Sequence, residues 1–501
     1  MIGTGILILF TFLLFIIFLY SLSQLSLIIS YFKHAKKEES QKWHFSDPSK
    51  MPFVTIQLPI YNERPVVERL LRNIAQLDYP SEKLQLQVLD DSTDDSVDLV
   101  AALVSEIKSS GIDMVHLRRN NRKGFKAGAL KEGLETAKGE FIAIFDSDFL
   151  PKRDWLLQSL PYFKDEKIGL VQTRWGHLNR NYSMLTKLQA FLLDFHFVLE
   201  QNGRSRGGHF INFNGTAGIW RKKCIFEAGN WQADTLTEDL DLSYRAQLKG
   251  WKFKYLEHVV APAELPVTIE AARSQQFRWN KGAAENFQKN YRKMLFNPRL
   301  SFMDKLQGLF HLLNSSLFLV VFLLALLSLP LLFLPDFDMR QKFPGILAFF
   351  SLSTIIFFIS YWITFSKIHG KSLKNFLRYG LTFFGFFSIA MGLSVHNSIA
   401  VLEGHFGKRS DFIRTPKFNI PAKQRLQKKA GVKPNFQLIM EILMMLCFGF
   451  AVVMAFRLDN YSLLLFHLML FFGFAYVVLT SLNIRFWRPN RFSKPVRPVG
   501  K

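Results

Sequence analysis

Long apolar runs occupy both ends of the chain, and short, punctuated ones fill the middle. Residues 5–30 are almost wholly apolar, long enough to cross a bilayer and longer than the core of a cleaved leader, so residues 1–32 read as a retained membrane helix. The same signature returns after about residue 305 and predicts spans at about 309–334, 345–366, 436–456 and 461–484. Between them the period changes. FVTIQL (53–58), LQLQVL (84–89) and FIAIF (141–145) are apolar runs sized for buried strands, with a further strand at 113–117. A helix over 64–77 puts Val67, Leu70, Leu71 and Ile74 on one face, and another carries Val97, Val100, Val104 and Ile107. This β-α-β order argues for a Rossmann-like, mostly parallel sheet with crossover helices.

Charge orients the apolar runs. Lys33, Lys36, Lys37 and Lys42 follow the first span, and the stretches 367–378, 408–433 and 485–501 are basic, so all face the cytoplasm. The apolar segment 376–403 then has both flanks on one side and cannot cross once. It is expected to lie along the cytoplasmic leaflet as an interfacial helix, leaving five crossings with the N-terminus outside and a basic cytoplasmic tail at 485–501. Anionic lipid and this bias account for the net charge of +23, and no basic and aromatic module points to nucleic acid. Two cysteines, Cys224 and Cys447, exclude a disulfide framework, and the 12 His show no paired ligand spacing. Within the spans, Asn314, Ser315, Ser316 and His467 are polar; they either line a path or are packed and hydrogen-bonded.

Two predicted strands run straight into acids: Asp90-Asp91-Ser92 and Asp146-Ser147-Asp148. In an open α/β sheet the carboxyl ends of the strands are where ligands bind, and two acids one residue apart can share a hard cation with a diphosphate. An isolated D-x-D is more often just a polar turn, so its neighbours decide. Lys126 stands in the glycine-rich KGFKAGALKEGL (123–134) near a helix start suited to phosphate, although a solvated lysine is the ordinary reading. In TLTEDLDLSYRAQLKGW, Thr237 can cap a helix whose first turn holds Glu238 and Asp239, where acids commonly serve only the helix dipole. Gln275, Arg278 and Trp279 share one face of a helix just before the membrane half, a position that also suits interfacial anchoring. FNGTAGIW (213–220) is a small-residue turn.

Together these stretches resemble the membrane-embedded, processive family 2 glycosyltransferases of the cellulose synthase superfamily. The resemblance rests on Asp90-Asp91, Asp146-x-Asp148, Thr237-Glu238-Asp239 and Gln275-x-x-Arg278-Trp279 in that order. GTAGIWRKKCIFEAGNW, TEDLDLSYRAQLKGWKFKYL, ELPVT and QQFRW are similar to the mannan and glucomannan synthase-like branch and its bacterial relatives. Phe412-Ile-Arg-Thr-Pro-Lys417 is similar to the F-x-V-T-x-K gating loop of bacterial cellulose synthase, with Arg414 in place of Val.

The resemblance implies a cytoplasmic glycosyltransferase domain of the A-type α/β fold at 50–265, amphipathic interface helices at 266–305, and a gating-loop-like segment at 404–433 with Phe412, Thr415 and Lys417 as its signature. The membrane helices pair as 309–366 and 436–484. Asp90 and Asp91 would hold the donor's base and ribose, Asp146 the nucleotide, and Asp148 with Asp146 a Mg2+ or Mn2+ ion. Lys126 and Arg278, with Gln275, would steady the diphosphate. Asp239, with Glu238 beside it, would be the general base, and Trp279 would stack on the acceptor sugar. Phe213, Gly215 and Thr216 would form an acceptor-side turn, where Asn214 replaces the usual Cys.

The implied partners are UDP-glucose or GDP-mannose, a growing glycan and membrane lipid, with an accessory protein allowed for. The implied location is the plasma (inner) membrane, or the Golgi in a eukaryote. The implied activity is inverting polymerisation of a β-1,4-glucan or mannan and its passage across the membrane. Two rivals stand beside it: a single-transfer enzyme making a glycolipid, and a non-catalytic membrane scaffold.

Overall fold

The computed structural model describes residues 2–33, 51–333, 337–410, 412–419 and 436–482. The basic positions Lys36, Lys37 and Lys42, the 420–433 stretch and the tail from 485 lie outside the described residues.

Seven strands form one sheet: β1 (Val54–Ile60), β2 (Leu84–Asp90), β3 (Asp113–Arg118), β4 (Phe141–Ile144), β5 (Ile168–His177), β6 (Gly218–Arg221) and β7 (Lys252–Ala263), in the order β3-β2-β1-β4-β6-β5-β7. β1, β2, β3 and β4 pair in parallel, β6 runs antiparallel to both its neighbours, and β5 pairs in parallel with β7. β1, β2 and β4 are buried at every position, which is why they read as continuous apolar runs. Because they run the same way, their carboxyl ends at Ile60, Asp90 and Ile144 share one edge. β5, β6 and β7 complete the sheet without a matching signal: β6 has four residues, and β7 interleaves Lys252, Lys254, Glu257 and His258 with its apolar positions.

Among the described residues, five helices are long and apolar enough to cross a membrane: Gly3–Lys33, Phe302–Leu331, Phe343–His369, Phe436–Arg457 and Leu464–Ser481. The segment expected as a single surface helix over 376–403 is two helices, Leu373–Gly392 and Ser394–His405, bent by 55° at the break. The first packs against Leu464–Ser481 at a close crossing, where a Cβ on Gly473 would lie 1.9 Å from the Ser388 carbonyl oxygen. The second turns its polar residues onto the Ile269–Leu295 helix instead of lipid: Asn397 Nδ2 donates to Gln276 Oε1 (3.0 Å), and His396 Nε2 meets the Arg273 carbonyl (3.0 Å). His467 is packed, its Nε2 3.0 Å from Ser328 Oγ.

One buried ion pair ties the soluble half to the bundle. Arg273 Nη2 lies 2.9 and 2.7 Å from the two carboxylate oxygens of Glu441, which is fully buried in the Phe436–Arg457 helix. Removing one member of such a pair strands the other charge away from water. Glu441→Ala is expected to destabilise the protein by about 3–5 kcal/mol, read as a lowered melting temperature in detergent, with Arg273→Met/Glu441→Leu recovering much of the loss.

Candidate active site

The turn after β4 is held rigid from its own backbone. The Asp146 N–H donates to Thr216 Oγ1 (2.9 Å) and the Phe149 N–H to the Asp146 carbonyl (3.1 Å), which sets the two carboxylates of Asp146 and Asp148 at the sheet edge. Opposite, Gly124 takes a left-handed conformation (φ 73°) and starts the Phe125–Thr136 helix, placing Lys126 in its first turn. Lys126 Nζ donates to Asp146 Oδ1 (2.6 Å) and to the Gly215 carbonyl (2.8 Å). Burial pushes the Asp146 carboxyl up, but Lys126 and Lys417 outweigh it and hold the group below the usual range.

Glu238 and Asp239 open the helix Glu238–Leu248, and Asp239 Oδ1 accepts from the Leu240 N–H (2.8 Å). Gly215 faces Asp239 so closely that a Cβ there would come within 3.0 Å of Asp239 Oδ2, and its φ of 79° also favours glycine. Burial, reinforced by the neighbouring charge of Glu238, pushes the Asp239 carboxyl up to about 7. Burial likewise raises Glu238.

The strap Phe412–Asn419 crosses the mouth of the cavity. Arg278, from the Ile269–Leu295 helix, donates to the Ile413 carbonyl (2.8 Å) and to Thr415 Oγ1 (2.9 Å), and its guanidinium lies 4.7 Å from the centre of the Phe412 ring. Arg414 pairs with Glu63 (3.2 Å). Lys417 Nζ bonds Asp148 and lies 3.6 Å from Glu63 and 3.3 Å from Ser147 Oγ. Nearby carboxylates outweigh burial and keep this lysine's pKa raised.

The two acids of the D-x-D thus each carry a lysine ammonium, and Glu63 stands beside them. Hard carboxylate oxygens on a fixed turn fit a divalent cation that completes its shell with phosphate oxygens and water. Among the described residues no group of three or more His, Cys, Asp or Glu side chains converges, and a cation shared with a diphosphate needs only one or two carboxylates.

One cavity is lined by most of the residues singled out in the sequence: Asp91, Lys126, Asp146, Asp148, Gly215, Glu238, Asp239, Gln275, Arg278, Trp279, Phe412, Thr415 and Lys417. Three expectations need correction. Asp90 does not reach it: the residue is buried, accepts from the Ser92 N–H (2.9 Å) and meets His116 Nε2 (2.9 Å), so it braces the turn that presents Asp91. Phe213 is wholly buried against Trp220, with ring centres 5.6 Å apart, and Thr216 is buried with its hydroxyl committed to Asp146, so of that turn Asn214 and Gly215 face the cavity. Thr237 makes no capping hydrogen bond; its hydroxyl accepts from Asn286 Nδ2 (3.0 Å). Asp241, two residues beyond Asp239, is fully buried between Arg245 (2.8 Å) and Lys289 (3.0 Å). Glu63 went unnoticed, although it closely follows β1 and the rule applied to β2 and β4, that acids after parallel strands share an edge, points to it.

Residues 52–282 match the profile of the family described as glycosyltransferase like family 2. The chain is 45% identical over 260 residues, 51% of its own length and 46% of the relative's, to the probable glucomannan 4-beta-mannosyltransferase 11 of Oryza sativa subsp. japonica. It is 42% identical over 267 residues, 52% of this chain and 50% of the relative, to glucomannan 4-beta-mannosyltransferase 9 of Arabidopsis thaliana. It thus spans about half the length of these relatives. Its fold is similar to that of a mannosyltransferase from Pyrobaculum calidifontis solved in complex with GDP-Man and Mn2+, with TM-score 0.52 and 18% identity over 80% of this chain and 100% of that one. Residues 52–282 are thus a domain similar to glycosyltransferase-like family 2, with an A-type fold joined to a set of apolar helices.

Proposed function

We propose that the protein is an inverting, processive β-1,4-mannosyltransferase of the membrane, drawing on GDP-mannose at the cytoplasmic face and passing its product outward. The observation that carries this reading is the convergence of Asp146, Asp148, Asp239 and Trp279 on one cavity whose wall is the helix packed against the apolar bundle. The choice of mannose over glucose follows the names of the plant relatives. The multi-pass layout fits a Golgi membrane in a eukaryote and an inner membrane in a bacterium.

In this mechanism Asp91 and Asp146 hold the nucleotide, and Lys126, Gln275 and Arg278 take the diphosphate oxygens, Arg278 exchanging its strap contacts for them. Asp239 accepts the proton of the acceptor hydroxyl as that oxygen bonds the anomeric carbon and the sugar–phosphate bond breaks. Trp279 offers its indole face to the acceptor ring. Asp146 and Asp148 would hold Mg2+ or Mn2+, which when bound offsets charge on the leaving diphosphate. Phe412, Thr415 and Lys417 close over the loaded donor.

The test is a donor screen on purified protein in lipid, comparing labelled GDP-mannose and UDP-glucose, with product sizing and linkage analysis. Polymer with 4-linked mannose supports the reading; a single sugar on lipid, or no transfer from either donor, removes it. Initial rates should also report the base. An acid raised to about 7 is protonated and idle below that value, so kcat/KM is expected to climb tenfold per pH unit below about 7 and level off above it.

A further inference from the structure

A string of buried and half-buried polar groups outside the D-x-D and T-E-D machinery ends on the cavity wall. His196 lies in the turn His196–Glu200 between the helices Met184–Phe195 and Gln201–Gly207. Its Nδ1 is 3.0 Å from Glu200 Oε2, and its Nε2 is 3.1 Å from Asn214 Nδ2. Burial pushes the Glu200 carboxyl up, but Arg204 and His196 outweigh it and keep it below the usual range, so it is an anion that can only accept. The imidazole proton therefore sits on Nδ1, and the Nε2 lone pair accepts from the amide of Asn214. On the other side Gln201 Nε2 donates to Asn214 Oδ1 (2.7 Å), while the Asn214 backbone N–H donates to Gln172 Oε1 (3.1 Å). An amide held by an acceptor at its nitrogen and a donor at its oxygen has one orientation.

Glu200 is itself fixed from the membrane. Gln24 Nε2, buried in the helix Ile2–Lys33, donates to Glu200 Oε1 (3.0 Å) and to the Tyr20 hydroxyl (2.9 Å), and Tyr20 donates to Asn314 Oδ1 (2.8 Å). Linked hydrogen bonds that run from one element to the next in this way favour one geometry. Its far end is Asn214, on the cavity wall next to the Gly215 that faces Asp239.

We infer that Asn214 presents its second amide hydrogen to a hydroxyl of the acceptor sugar, and that His196, held by Glu200, is the positioning residue that fixes Asn214 for this contact. The inference deepens the transferase reading and rests on it. One neutral hydrogen bond to the acceptor, absent from the donor, alters acceptor KM and leaves donor KM alone.

The test uses the full chain in lipid, GDP-mannose as donor and β-1,4-linked mannotetraose as acceptor, with wild type, His196→Phe, His196→Gln, Asn214→Ala and the Phe/Ala double variant. His196→Phe and Asn214→Ala are each expected to raise acceptor KM by about tenfold with donor KM unchanged. His196→Gln, whose amide oxygen can accept where Nε2 did, should return to within about threefold of wild type. In the Asn214→Ala background, His196→Phe should add less than about twofold, because both act through one amide. The inference is overturned if the two effects multiply, if donor and acceptor KM rise together, if Gln is no better than Phe, or if Asn214→Ala alone leaves acceptor KM unchanged. That last arm is read whatever His196→Phe does to folding. A wild type that transfers no sugar removes the transferase reading itself, whereas an active wild type with any of the other failures removes only this inference about Asn214 and His196.

Discussion

Asp239→Asn is expected to lower kcat by about 10³–10⁴-fold while leaving donor affinity within about threefold of wild type. The amide keeps the size and the hydrogen bond from the Leu240 N–H but cannot take a proton, so the change isolates proton transfer. The surroundings fit a general base, because the carboxyl is enclosed beside Glu238 and raised to about 7, basic enough to draw a proton and ionised in a substantial share of molecules at neutral pH. Calorimetric titration of GDP-mannose separates binding from turnover. Asp241→Asn is the control. Its carboxylate is enclosed by Arg245 and Lys289, so that variant should melt lower while its remaining folded fraction turns over normally. Normal turnover in Asp239→Asn would remove the assigned base.

Asp148→Ala should be nearly as damaging, with about a 10³-fold loss of rate, and chelation of divalent ions should reduce wild type to the same level while leaving the variant unchanged. Asp146 and Asp148 would divide the charge of one cation, and removing Asp148 would leave Asp146 and the diphosphate to complete its site. The affinity of Mn2+ in the presence of GDP, measured by titration, should fall in parallel. A variant that remains sensitive to chelation would place the cation elsewhere.

The sequence showed the site more clearly than it showed the sheet. Asp146, Asp148, Asp239, Arg278 and Trp279 were legible because chemistry ties residue types to short spacings, and strands β1, β2 and β4 because burial on both faces leaves an unbroken apolar run. β7 was hidden because its positions alternate between buried and accessible and carry charge, and β6 because four residues give no period. Asp90 misled for a related reason: adjacent acids at a strand end point opposite ways, so only Asp91 reaches the cavity. The bend at Leu393 escaped notice because apolarity measures how much of a segment avoids water, not which neighbour it meets; Gly473 and the Arg273 carbonyl settle that in three dimensions.

The lysine on Asp148 has a consequence for the resting protein. An idle catalyst with bare, clustered acids would repel itself and collect whatever stray ion the cell offers. Here Lys417 serves as an internal counterion, so the acids of this turn are neutralised from within the chain. A cation held by Asp148 would have to displace that ammonium, so its loading would exchange one positive charge for another.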